Sequence, residues 1–290
     1  MMNAVPDIEV NGLQWSDDGY VALSGALLDR AFELDAVIRR WADDLGATEY
    51  CFPSMIPARD LAPISYLKSF PHLATFVTSG LRREEALMSI ANDSGTAERI
   101  PIAEDLLEPV EQLLTPATCY HFYPRFAGSR LSTPLLLTAK CQCHRREHEY
   151  QPLQRQWCFE MREIVCIGDR DSIDRFAEDC RERIDFLVNA LGISTGWETA
   201  TDPFFDPAAD PKALAQMLEP VKEELCTSDG LAIASINKHR SFFGECYDIR
   251  YGKDAAQSAC VAFGIERWLH VLMQRYGSDA VAWPTLEPAR

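Results

Sequence analysis

The stretch from residue 131 to residue 169 constrains the fold most. It reads LSTPLLLTAKCQCHRRE, a turn-like EYQP, then RQWCFEMREIVCIGD: two runs rich in Leu, Val, Ile, Phe and Cys around a short polar loop. Such runs bounded by turn residues predict two paired antiparallel strands. Period-2 alternation puts Trp157, Phe159, Met161, Glu163, Val165 and Ile167 on one face of the second strand, with Cys158, Glu160, Arg162, Ile164 and Cys166 on the other. Glu163 thus shares an apolar face, where a carboxylate requires a partner, and a cation is one.

Helical spacing flanks this hairpin. Ser24 is placed to cap a helix carrying Leu27, Leu28, Phe32, Val37, Ile38 and Trp41 and ending near Gly46. Asp171 and Ser172 start another, with Ile173, Phe176, Ala177, Cys180, Ile184, Leu187, Val188 and Leu191 three and four apart, stopped by Gly192. Its outer face carries Arg175, Glu178, Arg181 and Arg183. YDIRYG and ACVAFG read as strands, and Ile265, Trp268, Leu269, Leu272, Met273 and Tyr276 form the stripe of a last helix. Hairpins in place of regular βαβ units predict an α+β fold with an antiparallel sheet flanked by helices. With no repeat and no long linker, residues 1–290 read as one domain, 1–50 being a helical N-terminal extension.

Charge narrows the function classes. The chain has 28 Lys and Arg against 44 Asp and Glu, a net −16 that repels nucleic acid and anionic membranes. No apolar run reaches the ~20 residues of a membrane span. The start MMNAVPDIEV, with Asp7 and Glu9, lacks the cationic and apolar regions of a secretory signal. The expectation is a soluble, cytoplasmic chain whose 10 cysteines are reduced. They form no CxxC pair, so neither a zinc ribbon nor a thioredoxin-type site is legible locally.

The residues best suited to chemistry lie in the hairpin. If Arg145 and Glu147 stand two apart on a strand they face one way, so a guanidinium fork takes a phosphate while the carboxylate accepts from a nucleobase amine. Phe159 on the return strand offers a flat surface for the base, and Arg155 lies near the phosphates. Taken singly, each is as well read as a solvated charge or a core Phe. Arg267, just after Gly264 at the start of the last helix, suits an anion by charge and by helix dipole. Cys141 and Cys143 read as packed thiols, and His144 and His148 as hairpin histidines.

Together these segments resemble something specific. HRRE with R-x-x-x-F is similar to motif 2 of the class II aminoacyl-tRNA synthetases, and AFGIERW to their motif 3. YLKSFPHL (66–73), PATCYHFYP (116–124), FEMREIVCIG (159–168), DPFF (202–205), INKHRSFFG (236–244) and SACVAFGIER (258–267) narrow the likeness. They resemble the amino acid:[carrier protein] ligases, stand-alone relatives of the catalytic core of the zinc-dependent seryl-tRNA synthetases of methanogens. The likeness runs over most of residues 50–275.

The resemblance implies a class II synthetase-like fold, with no room for a tRNA-binding domain. It implies ATP-dependent activation of a small amino acid, glycine or alanine, as an aminoacyl-adenylate. Transfer to the phosphopantetheine thiol of a carrier protein follows, making this a ligase. Carried over residue by residue, Arg145 stabilises the α-phosphate, Arg267 holds the γ-phosphate, Phe159 stacks adenine, and Glu147 fixes the base. Arg155 and Glu224 complete ATP binding, Glu224 near magnesium. Cys119, Glu163 and Cys260 are the implied zinc ligands, leaving a fourth position for the amino group. Asn237, His239 and Ala262 line the amino acid pocket. A homodimer is implied, while tRNA and membrane partners are not. The family pattern carries Asp, His and Gly where this chain has Ser241, Gln257 and Ala262, departures that bear on substrate identity. Arg170, Arg175, Arg181 and Arg183 are the visible cations for docking an acidic carrier. The alternatives are an adenylate-forming enzyme with a tRNA or peptide acceptor, or a catalytically silent binding module.

Overall fold

The two apolar runs pair, and the strands they form sit inside a sheet of seven. These are β1 (Thr48–Tyr50), β2 (Leu135–His144), β3 (Cys158–Gly168), β4 (Thr195–Ala200), β5 (Lys222–Thr227), β6 (Ala232–Arg240) and β7 (Gln257–Gly264). Their spatial order is β4-β5-β6-β7-β3-β2-β1. The computed structural model describes residues 8–93, 102–218 and 221–286. All pairings in the sheet are antiparallel except β1 with β2, so the antiparallel expectation fails only at that edge.

One face is covered by α1 (Gly25–Asp44), α2 (Arg170–Ala190) and α4 (Ile265–Tyr276). Their stripes, including Leu34, Ile38, Trp41, Phe176, Ile184, Trp268 and Leu272, bury Ile164, Cys166, Ile236, Val261 and Phe263 of the sheet. Phe32 is the exception to the expected stripe: it is 55% exposed, one position off the row Leu27, Ala31, Leu34 and Ile38, with the Lys140 ammonium 5.8 Å from its ring. Ser24 precedes α1 in extended backbone but makes no side-chain cap. In α2 the cap is Asp169 and not Asp171 or Ser172: its carboxylate accepts from the Ser172 N–H at 2.9 Å. Of YDIRYG only Arg250–Tyr251 is strand, pairing in parallel with Arg130–Leu131.

The N-terminal extension differs from the helical one expected. Ile8–Val10, Leu13–Ser16 and Tyr20–Leu23 form a three-stranded antiparallel meander ahead of α1, and α1 itself belongs to the main core. Residues 1–7 lie outside the described residues. Three short strands, Met55–Pro57, Phe76–Val77 and Gln112–Leu114, make a further small sheet.

The buried face of β3 also carries a charge. Arg162, 3% exposed, pairs with Asp35 of α1 and Glu49 of β1, tying helix and edge strand to the sheet centre. Among the described residues no helix is long and apolar enough to cross a membrane.

Candidate active site

The other face of the sheet holds the site, and strand register lays it out. Val165, Cys260, Asn237 and Lys222 lie side by side across β3, β7, β6 and β5. The adjacent row is Glu163, Ala262, Ser235 and Glu224. Opposed residues in a ladder share a face, so period-2 geometry alone gathers these side chains. All of them but Val165 floor a cavity of about 510 Å³.

Arg145, Glu147, Arg155, Phe159, Glu224 and Arg267 all line this cavity, as do Asn237, His239, Ala262, Cys119, Glu163 and Cys260. The route by which Arg145 and Glu147 arrive differs from the expectation. β2 ends at His144, so neither lies on a strand. The backbone N–H of His144 donates to the Thr115 carbonyl and that of Arg146 to the Leu73 carbonyl, while Arg145 keeps one bond to Trp157. Neighbouring loops thus replace the sheet partner, and a turn carries Glu147 to the cavity.

The arginines are held in place. Arg145 donates from Nε to the Pro116 carbonyl at 3.1 Å and lies over the Phe159 ring, 5.4 Å from its centroid. Arg267 donates to the carbonyls of Gln154 and Ala232, both at 2.9 Å. Burial lowers the Arg267 guanidinium below its ordinary range, and repulsion from Arg145 and Arg155 adds to this, partly offset by Glu224 and Glu147. Arg145, Arg155 and Arg267, crowded in one cavity, can take a polyanion.

Cys119 reaches the sheet from the turn Thr118–His121, where the Thr118 hydroxyl donates to the Met161 carbonyl at 2.9 Å. Its N–H donates to Glu163 Oε1 at 3.1 Å, while Glu163 Oε2 is buried with no hydrogen-bond partner. One ligand atom from each of Cys119, Glu163 and Cys260 lies within 4.8 Å of the others, and all three residues are buried. The Cys119 thiol is pushed well up, first by its hydrogen bond with Cys260, then by burial and by Glu163. Burial raises Glu163 as well. Cys260 is lowered by its bond with Cys119 but raised on balance by burial and Glu163. Three crowded acids and an orphaned carboxylate oxygen fit a cation: two sulfurs and one oxygen suit zinc, and three protein ligands leave an open position.

Four further cavity residues, Asp202, Lys212, Gln216 and Lys222, carry no local signal of their own in the sequence. Lys222 lies between Asp202 (3.1 Å) and Glu224 (2.9 Å) inside the cavity, and Gln216 and Asp202 bond reciprocally. Lys212, on α3 (Pro211–Leu218), donates to the Ile64 carbonyl and the Ser69 hydroxyl. The DPFF and KEEL segments signalled their region without indicating that Asp202 and Lys222 meet. Burial brings His239 down to about 4, so it is neutral. Cys141 and Cys143 are buried together, as packed thiols, and His148 lies outside the cavity.

Of the expected docking cations, Arg181 and Arg183 are held in close ion pairs, while Arg170 and Arg175 remain exposed. Arg181 pairs with Glu223 and stacks on Trp197, Arg183 pairs with Asp44 and Asp179, Arg170 pairs with Asp174, and Arg175 donates to Ser172.

Residues 109–276 match the tRNA synthetase class II core domain (G, H, P, S and T). The chain is 32% identical over 279 residues to amino acid–[acyl-carrier-protein] ligase 1 of Bradyrhizobium diazoefficiens, covering 92% of this chain and 83% of the relative. It is 25% identical to the type-2 serine–tRNA ligase of Methanococcus aeolicus, spanning about half that enzyme: 89% of this chain against 52% of the other. The fold is similar to that of M. kandleri SerRS, crystallised with A. aeolicus tRNASec, at a TM-score of 0.80 and 18% identity, over 93% of this chain and 56% of that one. The sheet with its helices is therefore a class II synthetase core, and the chain belongs to the family of amino acid–[acyl-carrier-protein] ligases.

Proposed function

We propose that the protein activates a small amino acid, glycine or alanine, with ATP and transfers it to the phosphopantetheine thiol of a carrier protein. The observation that carries this reading is the convergence of Arg145, Arg155 and Arg267 with the Cys119–Glu163–Cys260 cluster on one cavity.

The amino acid carboxylate attacks the α-phosphorus of ATP and pyrophosphate leaves. Arg145 neutralises charge gathering on the α-phosphate, and its fixed Nε bond keeps it from following the ground state. Arg267, immobilised by two carbonyls, holds the γ-phosphate, with Arg155 at the exposed mouth. Phe159 stacks adenine, and Glu147 accepts from its exocyclic amine. Glu224 would hold magnesium, which would offset charge on the phosphates. In a second step the pantetheine thiolate attacks the acyl carbon and AMP departs. No protein nucleophile is required, because adenylation depends on positioning and charge neutralisation.

Cys119, Glu163 and Cys260 would hold zinc. When bound, it supplies a Lewis-acid seat for a neutral α-amino group, which selects amino acids over plain acids. Asn237, His239 and Ala262 line the space beside this cluster, and the Ala262 methyl favours a small side chain. The working form is a homodimer.

Loading tests the acceptor. With ATP, glycine or alanine and a holo-carrier, one aminoacyl thioester forms per carrier, and a carrier lacking the phosphopantetheine arm stays unloaded. Charging of tRNA with no thioester on any carrier would overturn the proposal.

A further inference from the structure

His239 stands in the amino acid pocket, but its polar contacts point elsewhere. Nδ1 meets two hydroxyls, Ser258 Oγ at 3.1 Å and Tyr123 OH at 3.3 Å. Nε2 lies 3.6 Å from Cys260 Sγ, and Asn237 Nδ2 donates to the same sulfur at 3.7 Å. A metal-bound thiolate has no proton to give, so any hydrogen bond across the 3.6 Å contact must be donated by the imidazole. The nearer hydroxyl, Ser258 Oγ, supplies what that tautomer needs, a proton for the single lone pair of a bare Nδ1. Both nitrogens are then satisfied only with the proton on Nε2.

The backbone is arranged for this. The β6–β7 register shifts between Lys238 and Arg240, so that His239 sits at a bulge, and Arg240 takes a positive φ of 54°. Bulges of this kind re-aim a side chain, and a left-handed non-glycine residue costs energy that a strand with no special task avoids. His239 itself is outside the group of ligand atoms lying within 4.8 Å of one another, so the geometry makes it a neighbour of the cluster and not a member.

We infer that His239 is a positioning residue for the metal centre: its Nε2–H donates to the Cys260 thiolate, fixing the orientation of that sulfur and moderating its charge donation. The inference rests on the zinc reading of Cys119, Glu163 and Cys260 given above. A thiolate that gives less charge to the metal leaves it a stronger acid toward an incoming amine.

The test compares full-length wild type with His239→Gln, whose amide N–H replaces the Nε2 donor, and His239→Leu, which has none. Zinc affinity is read by chelator competition, and the cobalt(II)-substituted proteins are read by absorption. All three should bind one metal per chain. His239→Leu should bind zinc about 10–100-fold more weakly, with its thiolate-to-cobalt charge-transfer band moved to longer wavelength. His239→Gln should restore both. Ser258→Ala, which leaves the ring in place and removes one hydroxyl fixing the tautomer, should shift the band the same way by less, and serves if the Leu variant does not fold. Wild-type affinity and band position in His239→Leu and Ser258→Ala would overturn the inference and leave the zinc site standing. So would a Gln variant behaving like Leu, or a changed cobalt coordination number in His239→Leu, the mark of a direct ligand. A wild type that binds no metal would remove the zinc reading itself, and this inference with it.

Discussion

Arg267 enters the cavity with two of its nitrogens committed to backbone carbonyls, so its charge is fixed there and cannot relax toward solvent. Arg267→Ala should lower amino acid-dependent pyrophosphate exchange by about 10²–10³-fold while metal content, measured by elemental analysis, stays unchanged. Activity within a few fold of wild type would remove the assignment. The neighbouring Glu266 tells a different story. It accepts two bonds from the Glu160 N–H, at 2.9 and 3.1 Å, which favour the carboxylate, yet burial outweighs them and pushes the group up to about 7 from 4.5. The folded chain therefore keeps this proton between pH 4.5 and 7 while the unfolded chain releases it. The resulting stabilisation is complete below about 4.5 and is lost as pH rises toward 7, a span of about 3 kcal/mol. Urea midpoints of wild type minus Glu266→Gln should fall across that window and flatten above it. A difference that is level with pH would contradict the shift.

At the scale of elements, the face of β3 away from the cavity is anchored by Arg162 to Asp35 and Glu49. Asp35→Ala leaves a buried guanidinium short of a partner, and a loss of about 3–5 kcal/mol is expected in denaturant unfolding. An unchanged midpoint would mean Glu49 suffices. Gly244, in the short helix Phe242–Cys246, lies so close to β7 that a Cβ would run into the Ala256 carbonyl oxygen, so Gly244→Ala should lower the melting temperature measurably. The long elements were legible because their apolar periods are unbroken: β2, β3, α2 and α4 fall close to where alternation and the 3.6-residue repeat put them. Local patterns carry no record of partners in space. The turn that carries Glu147 depends on carbonyls of Thr115 and Leu73, and the Asp202–Lys222 pair joins a loop to a strand twenty residues on. The meander over residues 8–23 was missed because strands of three and four residues are too short for alternation to register.

Over the whole molecule the arrangement is economical: helices seal one face of a sheet and the chemistry spreads over the other. The motif arginines, Phe159 and the three metal-ligand candidates were legible from motif resemblance; register brings Glu163 and Cys260 to one face, while loops and a helix deliver Cys119 and the arginines. That Arg181 and Arg183 are engaged was not legible, because their acidic partners Glu223 and Asp44 sit far away in sequence. A net charge of −16 makes the arginine-lined cavity a local exception to the field of the protein, so an anionic substrate is attracted at short range and binding weakens as salt rises. Stripping zinc should lower the melting temperature by roughly 5–10 °C relative to protein with free zinc a thousandfold above its Kd, because three buried acids then lose their shared cation. The most direct test of the central claim is ATP–pyrophosphate exchange over the twenty amino acids with zinc-replete protein. Exchange is expected with glycine or alanine and little with larger side chains. No exchange with any amino acid, in folded protein containing stoichiometric zinc, would contradict it.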